Sequence, residues 1–354
     1  MHPILALPSE ILSEIFVQCL PPYPICAPLL GGRSPTTLAQ VCRSWRETAH
    51  ATPELWRGIA LFTSERLWRF PKLQIFTAKT WIERSGALPL CVIFDSATHP
   101  IHDEDRAEGL SLLLDESARW EYAALFCSTS EWIPGQVLDC DMPMLRQLDV
   151  TYEDLRPRPL EDIDTLDAPR LTTALLDCNF LPDETTACIN LLAWSQLTRV
   201  FLANIEFDPA VGALQHATNL VDCRLDFDQW AWSPHDESIP QPGQVFVFPW
   251  LETLIITAAV SDYNHFDELL LATRAPNLRR LHLDQNMLDE DSDSLQLVLD
   301  SLGCQLERLL LSLAHVRRPL EIVRNSLLRV GMIEVNPSEH LPPDIWGHWD
   351  LRRL

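Results

Sequence analysis

The sequence predicts an α/β protein: a small N-terminal helical region, then a solenoid whose parallel strands line a concave face and whose helices cover the convex face. Apolar residues recur at helical spacing in residues 7–19 and 35–51, and an L-x-x-L-x-L pattern recurs after residue 140. Hydrophobic residues make up 47% of the 354-residue chain, so a sizeable core can form.

The first predicted helix begins around Pro8 and Glu10, because proline fits a first helical turn and glutamate complements the positive helix end. Apolar side chains then follow at steps of three and four, at Ile11, Leu12, Ile15, Phe16 and Cys19. The prolines at 21 and 22 end this helix, and a proline-rich loop continues to residue 36.

A second helix is predicted from about Pro35 to Ala51, with apolar positions at Leu38, Val41, Cys42, Trp45 and Ala49. Pro53 breaks it, and a short apolar anchor follows at Leu55, Trp56 and Ile59. Such short helices bury little surface alone. They are either a cap on the following domain or a module that a partner protein completes.

A helix over residues 64–86, interrupted near Pro71, and a buried strand over 90–94 precede the repeats. The copies are Trp120/Ala123/Leu125, Leu145/Leu148/Val150, Leu171/Ala174/Leu176, Leu197/Val200/Leu202, Leu220/Cys223/Leu225, Leu251/Leu254/Ile256, Leu278/Leu281/Leu283 and Leu306/Leu309/Leu311. From Leu145 onward they step by 26, 26, 23, 31, 27 and 28 residues. These steps lie in or near the roughly 20–29 residues of leucine-rich repeats. An ordinary α/β domain with leucine-rich strands is the alternative.

The intervening segments 104–118, 183–194, 263–274 and 289–302 are predicted to be helical, and residues 341–354, with Trp346 and Trp349, to cap the solenoid. Strand residues that alternate with the leucines are expected to face outward and to bind a partner. The candidate substrate-binding residues are Asp149, Thr151, Phe201, Arg224, Asp226, His282 and Asp284.

Composition narrows the choice of partners. Acidic residues outnumber basic ones by 50 to 27, and the net charge of −23 disfavours nucleic acid and anionic membranes. The 10 cysteines form no C-x-x-C pair, which indicates buried thiols in a reducing compartment. No secretory signal and no apolar run of about 20 residues is present. A cytoplasmic or nuclear protein is therefore expected.

No motif for a nucleotide loop, a nucleophile or a zinc hydrolase occurs, so neither enzymatic activity nor a cofactor is expected. The cluster His99, His102, Asp103 and Asp105 is interpreted as a polar loop rather than a metal site. Asp289, Asp291 and Asp293 resemble a calcium loop, but Ser294 replaces its glycine, which favours an acidic helix start. Trp230 and Trp232, in a loop over 227–247, are either exposed anchors for a partner or folded back on the repeats.

Three segments together resemble the F-box, in particular the version abundant in mushroom-forming fungi (the basidiomycete type). They are L-P-S-E-I-L-S-E-I-F at 7–16, V-C-R-S-W-R-E-T-A at 41–49 and T-P-E-L-W at 52–56. The loop between the first two helices is longer and richer in proline than in the common F-box. The resemblance divides the chain into an F-box at 1–60 and a leucine-rich-repeat-like substrate-recognition domain at 61–354.

The resemblance implies docking onto a Skp-type adaptor and, through it, a cullin scaffold in a ubiquitin ligase. The adaptor-binding residues implied by the match are Pro8, Ile11, Leu12, Ile15, Phe16, Val41, Cys42, Trp45 and Trp56. The repeats would then bind an unknown target protein. The alternative function is a leucine-rich-repeat scaffold that acts outside any ligase. An enzyme with an unrecognised site is a third, weaker alternative.

Overall fold

A computed structural model describes residues 7–63, 69–128, 140–153, 165–179, 192–205, 207–227, 245–258, 266–284, 292–312 and 332–336. The described chain forms two compact units. The first contains the described residues through 153 together with 166–171, and the second contains residue 165 and those from 172 onward. The N-terminal helices share the first unit with four strands, so the domain boundary expected near residue 60 stays a prediction.

The first unit alternates helices and strands after its N-terminal helices. Its helices are α1 (Ser9–Gln18), α2 (Leu38–Val41), α3 (Arg43–His50), α4 (Pro71–Ser85) and α5 (Asp103–Leu114), with 3-10 turns at Pro35–Thr37, Pro53–Trp56 and Ser117–Arg119. Its strands are β1 (Gly58–Leu61), β2 (Leu90–Asp95), β3 (Trp120–Ser128) and β4 (Gln147–Glu153), paired in that order and all parallel.

The predicted first helix is confirmed: it begins directly after Pro8, and its last turn lies ahead of the two prolines. The predicted single second helix is wrong. Cys42 adopts an extended conformation between α2 and α3, with φ −157° and ψ 175°, and its sulfur accepts the Trp45 N–H at 3.5 Å. Apolar spacing continues through this break because α2 and α3 still pack against each other, so periodicity alone could not reveal it.

Two further expectations in the first unit are tested. The strand predicted at 90–94 is confirmed as β2, but β1 was not predicted, because its four residues directly follow the 3-10 turn. The helix predicted over 64–86 with an interruption near Pro71 is confirmed as α4 from Pro71 onward, and the missing proline N–H suits this first turn. The preceding residues 64–68 lie outside the described chain.

The second unit contains parallel strands at the predicted repeats. Its strands are β5 (Thr173–Asn179), β6 (Arg199–Ile205), β7 (Asp222–Phe227), β8 (Phe246–Val247), β9 (Thr253–Ala258), β10 (Thr273–Arg274), β11 (Arg280–Asp284), β12 (Arg308–Ser312) and β13 (Met332–Asn336). Its helices are α6 (Phe207–Leu214), α7 (Phe266–Leu271) and α8 (Ser292–Leu302). The order β5-β6-β7-β9-β11-β12-β13 forms one parallel sheet within this unit, and β8 pairs with β10 apart from it.

One face of this sheet forms the core of the second unit. Leucine positions of neighbouring strands stand in register, as Cys223 with Leu254 and Leu254 with Leu281, and these side chains are buried. Leu214 of α6 and Leu270 of α7 line the same small cavity, about 20 Å³, as Leu254 does. The helices α6 and α7 therefore pack on the leucine face, as expected for parallel strands joined by crossovers.

The helices of the second unit test the predicted segments in part. Within the described residues, the helices predicted over 263–274 and 289–302 are confirmed as α7 and α8, although Thr273 and Arg274 form β10 instead of the last turn. The helix α6 was not predicted. The expectations for residues 183–191, for Trp230 and Trp232, and for the cap at 341–354 fall outside the described residues. Within the described chain, no helix has both the length and the apolar character that crossing a membrane requires.

Candidate functional site

The N-terminal module, residues 7–63, leaves several apolar side chains in contact with solvent. Ile11 is 51% exposed, Ile15 is 37% exposed and Val41 is 61% exposed. Pro8, at the start of α1, is exposed as well. Because α1 already buries its opposite side, this exposed apolar set is available for a partner protein, as helix-in-groove recognition requires.

Other candidate residues of the module are interior. Leu12 and Phe16 are only 3% and 1% exposed, and the Phe16 ring packs against Trp45 of α3 with 4.9 Å between centroids. Cys42 and Trp45 are half-buried. Phe16 therefore helps to hold α1 onto α3, and both Leu12 and Phe16 present almost no surface to a partner.

Trp56 is the buried anchor of the module. Its side chain has no exposed surface, and its indole N–H donates to the Ala49 carbonyl at 2.9 Å. Its ring meets Trp81 of α4 edge-on at 5.5 Å, and the Arg84 guanidinium lies 4.8 Å from the ring centroid. Trp56, which the sequence predicted as an adaptor contact, is thus a packing residue that joins the module to α4.

The candidate substrate-binding residues of the second unit lie on the sheet face opposite the leucines. Four residues on neighbouring strands stand in register with one another. They are Phe201 on β6, Arg224 on β7, Ile255 on β9 and His282 on β11. The Arg224 guanidinium lies 4.2 Å from the Phe201 ring centroid and donates to both carboxylate oxygens of Asp226, at 3.0 and 2.5 Å. The Thr257 hydroxyl also donates to Asp226. Arg224 is therefore held rigidly, half-buried, between an aromatic ring and a carboxylate.

The structure corrects the expected exposure of two candidates. Alternation along the strands predicts solvent-facing side chains at Asp149 and His282, but both are buried, at 1% and 4% exposed. Parallel sheets are commonly covered on both faces, so alternation does not decide which face reaches water. Thr151, Phe201, Arg224 and Asp226 keep partial exposure, and the Asp284 side chain lies outside the described residues.

Acidification is expected to destabilise the second unit through His282. Burial, with a smaller contribution from the nearby Arg224 charge, lowers the pKa of His282 to about 4. Between about 6.5, the pKa of an unfolded histidine, and 4, the unfolded chain binds this proton more than the folded chain does. The free energy of unfolding should therefore fall as the pH drops through this window, with a loss of about 3 kcal/mol by pH 4.

Urea unfolding of the wild type and of His282→Gln at several pH values between 7.5 and 4 would measure this contribution. The variant should lack the His282 component of the pH dependence. Identical pH dependence in both proteins would contradict the expectation.

The metal alternatives gain no support from the described chain. No group of three or more histidine, cysteine or acidic side chains is arranged there to hold a metal ion. Asp103 and Asp105 lie in the first turn of α5, where their charges complement the helix dipole. The first two residues of the calcium-like series, Asp289 and Asp291, fall outside the described residues, as does the side chain of Asp293.

Two residues with a distinctive arrangement were not predicted from the sequence. Tyr23, in the proline-rich loop, donates its hydroxyl hydrogen to Glu121 of β3 at 3.1 Å, and the Arg57 guanidinium lies 3.4 Å from the Tyr23 ring centroid. The one available signal was the unusual length and proline content of this loop. The length and composition showed that the loop departs from the common F-box pattern, but they did not indicate that Tyr23 contacts Glu121 and Arg57.

Comparison with known families identifies the kind of domain that the N-terminal module is. The family model described as F-box-like matches residues 4–62, so an F-box-like domain occupies this part of the chain. A search of curated proteins found no match to the chain. F-box domains generally bind Skp-type adaptors, which indicates a role in adaptor binding for this module.

Proposed function

We propose that this chain is the substrate-recognition subunit of a Skp–cullin–F-box ubiquitin ligase. The observation that carries the proposal is the coincidence of two facts. The F-box-like match spans residues 4–62, and within it Ile11, Ile15 and Val41 remain exposed although Leu12 and Phe16 of α1 are buried. The adaptor bound there would link the chain to a cullin scaffold. We further propose that the domain is of the fungal type, on the sequence resemblance.

Hydrophobic burial would drive adaptor binding. Each aliphatic side chain moved from water to a packed interface contributes about 1.5–3 kcal/mol. Ile11 and Ile15 lie one helical turn apart on α1, so both can enter one groove. The buried Phe16 contributes indirectly by packing α1 against Trp45 of α3, and Trp56 does so through its hydrogen bond to the Ala49 carbonyl of α3.

Target binding is proposed for the repeats of the second unit, which we infer to be of the leucine-rich-repeat type. Support comes from the repeat spacing, from the in-register parallel strands and from the helices on the leucine face. Partly exposed Phe201, Arg224 and Asp226 are the proposed contacts there, and Thr151 is the proposed contact in the first unit. In this role the chain needs no catalytic group or cofactor, since holding a target near the transfer machinery raises its effective concentration. Such a subunit would act in the cytoplasm or the nucleus.

Co-expression with a Skp-type adaptor and a cullin from a mushroom-forming fungus tests the proposal. We expect a stable ternary complex on size-exclusion chromatography, with an adaptor Kd of about 1 µM or tighter. Failure of the adaptor to co-purify would overturn the proposed function. Co-purification of the adaptor without the cullin would instead favour a scaffold that acts outside a ligase.

A further inference from the structure

A pocket of about 460 Å³ opens in the first unit where the end of α1, the proline-rich loop and the start of β1 meet. Its apolar lining comes from Val17, Leu20, Pro21, Pro22, Ile25, Ala27 and Leu55. Charged side chains at Glu54 and Arg57 also reach it. The volume lies in the range of about 300–1,000 Å³ that is typical of small-molecule sites.

Arg57 is the distinctive polar group of this pocket. The residue is half-buried, and its guanidinium lies flat enough on Tyr23 to come within 3.4 Å of the ring centroid. Within the described part of the chain, no carboxylate lies within ion-pair distance of Arg57, and no hydrogen bond engages its guanidinium. Its five N–H donors are therefore available to a ligand, in a planar arrangement that matches a carboxylate.

The surroundings hold Arg57 in a fixed place. The Tyr23 hydroxyl is bonded to Glu121, the Tyr23 ring meets Tyr122 edge-on at 5.5 Å, and Glu121 pairs with Arg146 at 3.1 Å. The charge of Glu121 is thus engaged by another arginine. A preorganised cation loses little entropy on binding, which favours affinity.

Glu54 limits the charge that a ligand can carry. Its side chain lines the same pocket but is exposed, so water screens its charge more than that of half-buried Arg57. A single carboxylate would gain from Arg57 with little repulsion, whereas a doubly charged phosphate would be repelled more by Glu54. The pocket also has an apolar part, which includes Leu20, Ile25 and Leu55 and suits a hydrocarbon or aromatic body.

We propose that this pocket binds a small-molecule monocarboxylate with an apolar body. The carboxylate would accept two parallel hydrogen bonds from Arg57, and the body would pack against Leu20, Ile25 and Leu55. Because Val17 and Leu20 also belong to the end of α1 and its following turn, ligand binding would stabilise the helix that carries Ile11 and Ile15.

Ligand-observed NMR and thermal unfolding of the full-length chain test this inference, with phenylacetate as the probe and uncharged phenylacetamide as its matched analogue. We expect saturable phenylacetate binding below about 10 mM, a raised Tm, and binding of the amide at least about tenfold weaker. Arg57→Gln should weaken phenylacetate binding by a similar factor, and Arg57→Lys by less, because lysine keeps the charge but loses the two-bond geometry. Arg43→Gln, at a highly exposed arginine outside the pocket, is the control and should bind like the wild type.

Near-ultraviolet circular dichroism shows whether a variant that loses binding is still folded. A second variant, Gln18→Trp, leaves Arg57 intact and places a bulky side chain at the pocket rim. This variant should also lose the probe. Equal binding of acid and amide, unchanged binding by folded Arg57→Gln, or no saturable binding of the acid would each overturn the proposal. Arg57-dependent binding of an acidic peptide, with none of phenylacetate, would overturn it in favour of a peptide site. All of these outcomes are independent of adaptor binding.

Discussion

Replacing Ile11 and Ile15 together with aspartate is expected to weaken binding to a Skp-type adaptor by at least about 100-fold. Both side chains are exposed in the free chain, at 51% and 37%, so the change should leave the module folded. In the complex, two carboxylates would be transferred from water into an apolar groove without a partner, and this desolvation opposes binding. Titration calorimetry with purified adaptor measures the difference.

A matched control separates local desolvation from general charge repulsion. The double substitution lowers the net charge by two, and Lys79→Asp does the same at one exposed position on α4. This control should bind the adaptor like the wild type. Adaptor binding by Ile11→Asp/Ile15→Asp within about threefold of the wild type would refute the proposed interface. Phe16→Asp is unsuitable for this test, since it would place a charge in the core beside Trp45.

Trp56→Ala is expected to cost about 3–5 kcal/mol of folding free energy, one of the largest single-residue losses in the first unit. The substitution removes a fully buried indole, its contact with Trp81 and its hydrogen bond to the Ala49 carbonyl. Most domains have only about 5–15 kcal/mol of net stability, so a large fraction would be lost. Urea unfolding followed by tryptophan fluorescence measures the change.

The control for this experiment is Trp250→Ala, which removes a tryptophan that is 60% exposed. Its effect on stability should stay within about 0.5 kcal/mol. The comparison also tests the assignment of Trp56 as a packing residue. If Trp56→Ala kept wild-type stability yet lost adaptor binding, Trp56 would be an interface residue and its place in the core would be wrong.

The ends of a helix were predictable from the sequence where prolines marked them. The start of α1 directly after Pro8 and its end before the prolines at 21 and 22 follow from backbone chemistry within a few residues. The break at Cys42 did not follow, because α2 and α3 continue the same apolar spacing on either side of it. The short β8 and β10 and the helix α6 were also missed, since elements this short carry little periodic signal.

Strands were predictable because they repeat. Each L-x-x-L-x-L copy coincides with a parallel strand, and the register of the strands in the second unit places the leucines on one buried face of its sheet. The sequence also predicted which strand residues alternate with the leucines, but it did not predict how exposed their side chains are. Asp149 in the first unit and His282 in the second alternate with leucines along their own strands, and both are nevertheless buried.

The sequence by itself determined α1, the parallel strands and their leucine face, because helix signals and strand alternation depend on residues close together in the chain. Only the tertiary structure decided which apolar side chains of the module remain for a partner. Ile11 and Phe16 belong to one apolar series, yet Phe16 is covered by Trp45 and Ile11 is not. It also decided the stacking of Arg57 on Tyr23. Burial is set by contacts between residues distant in sequence, and no local pattern records which of those contacts form.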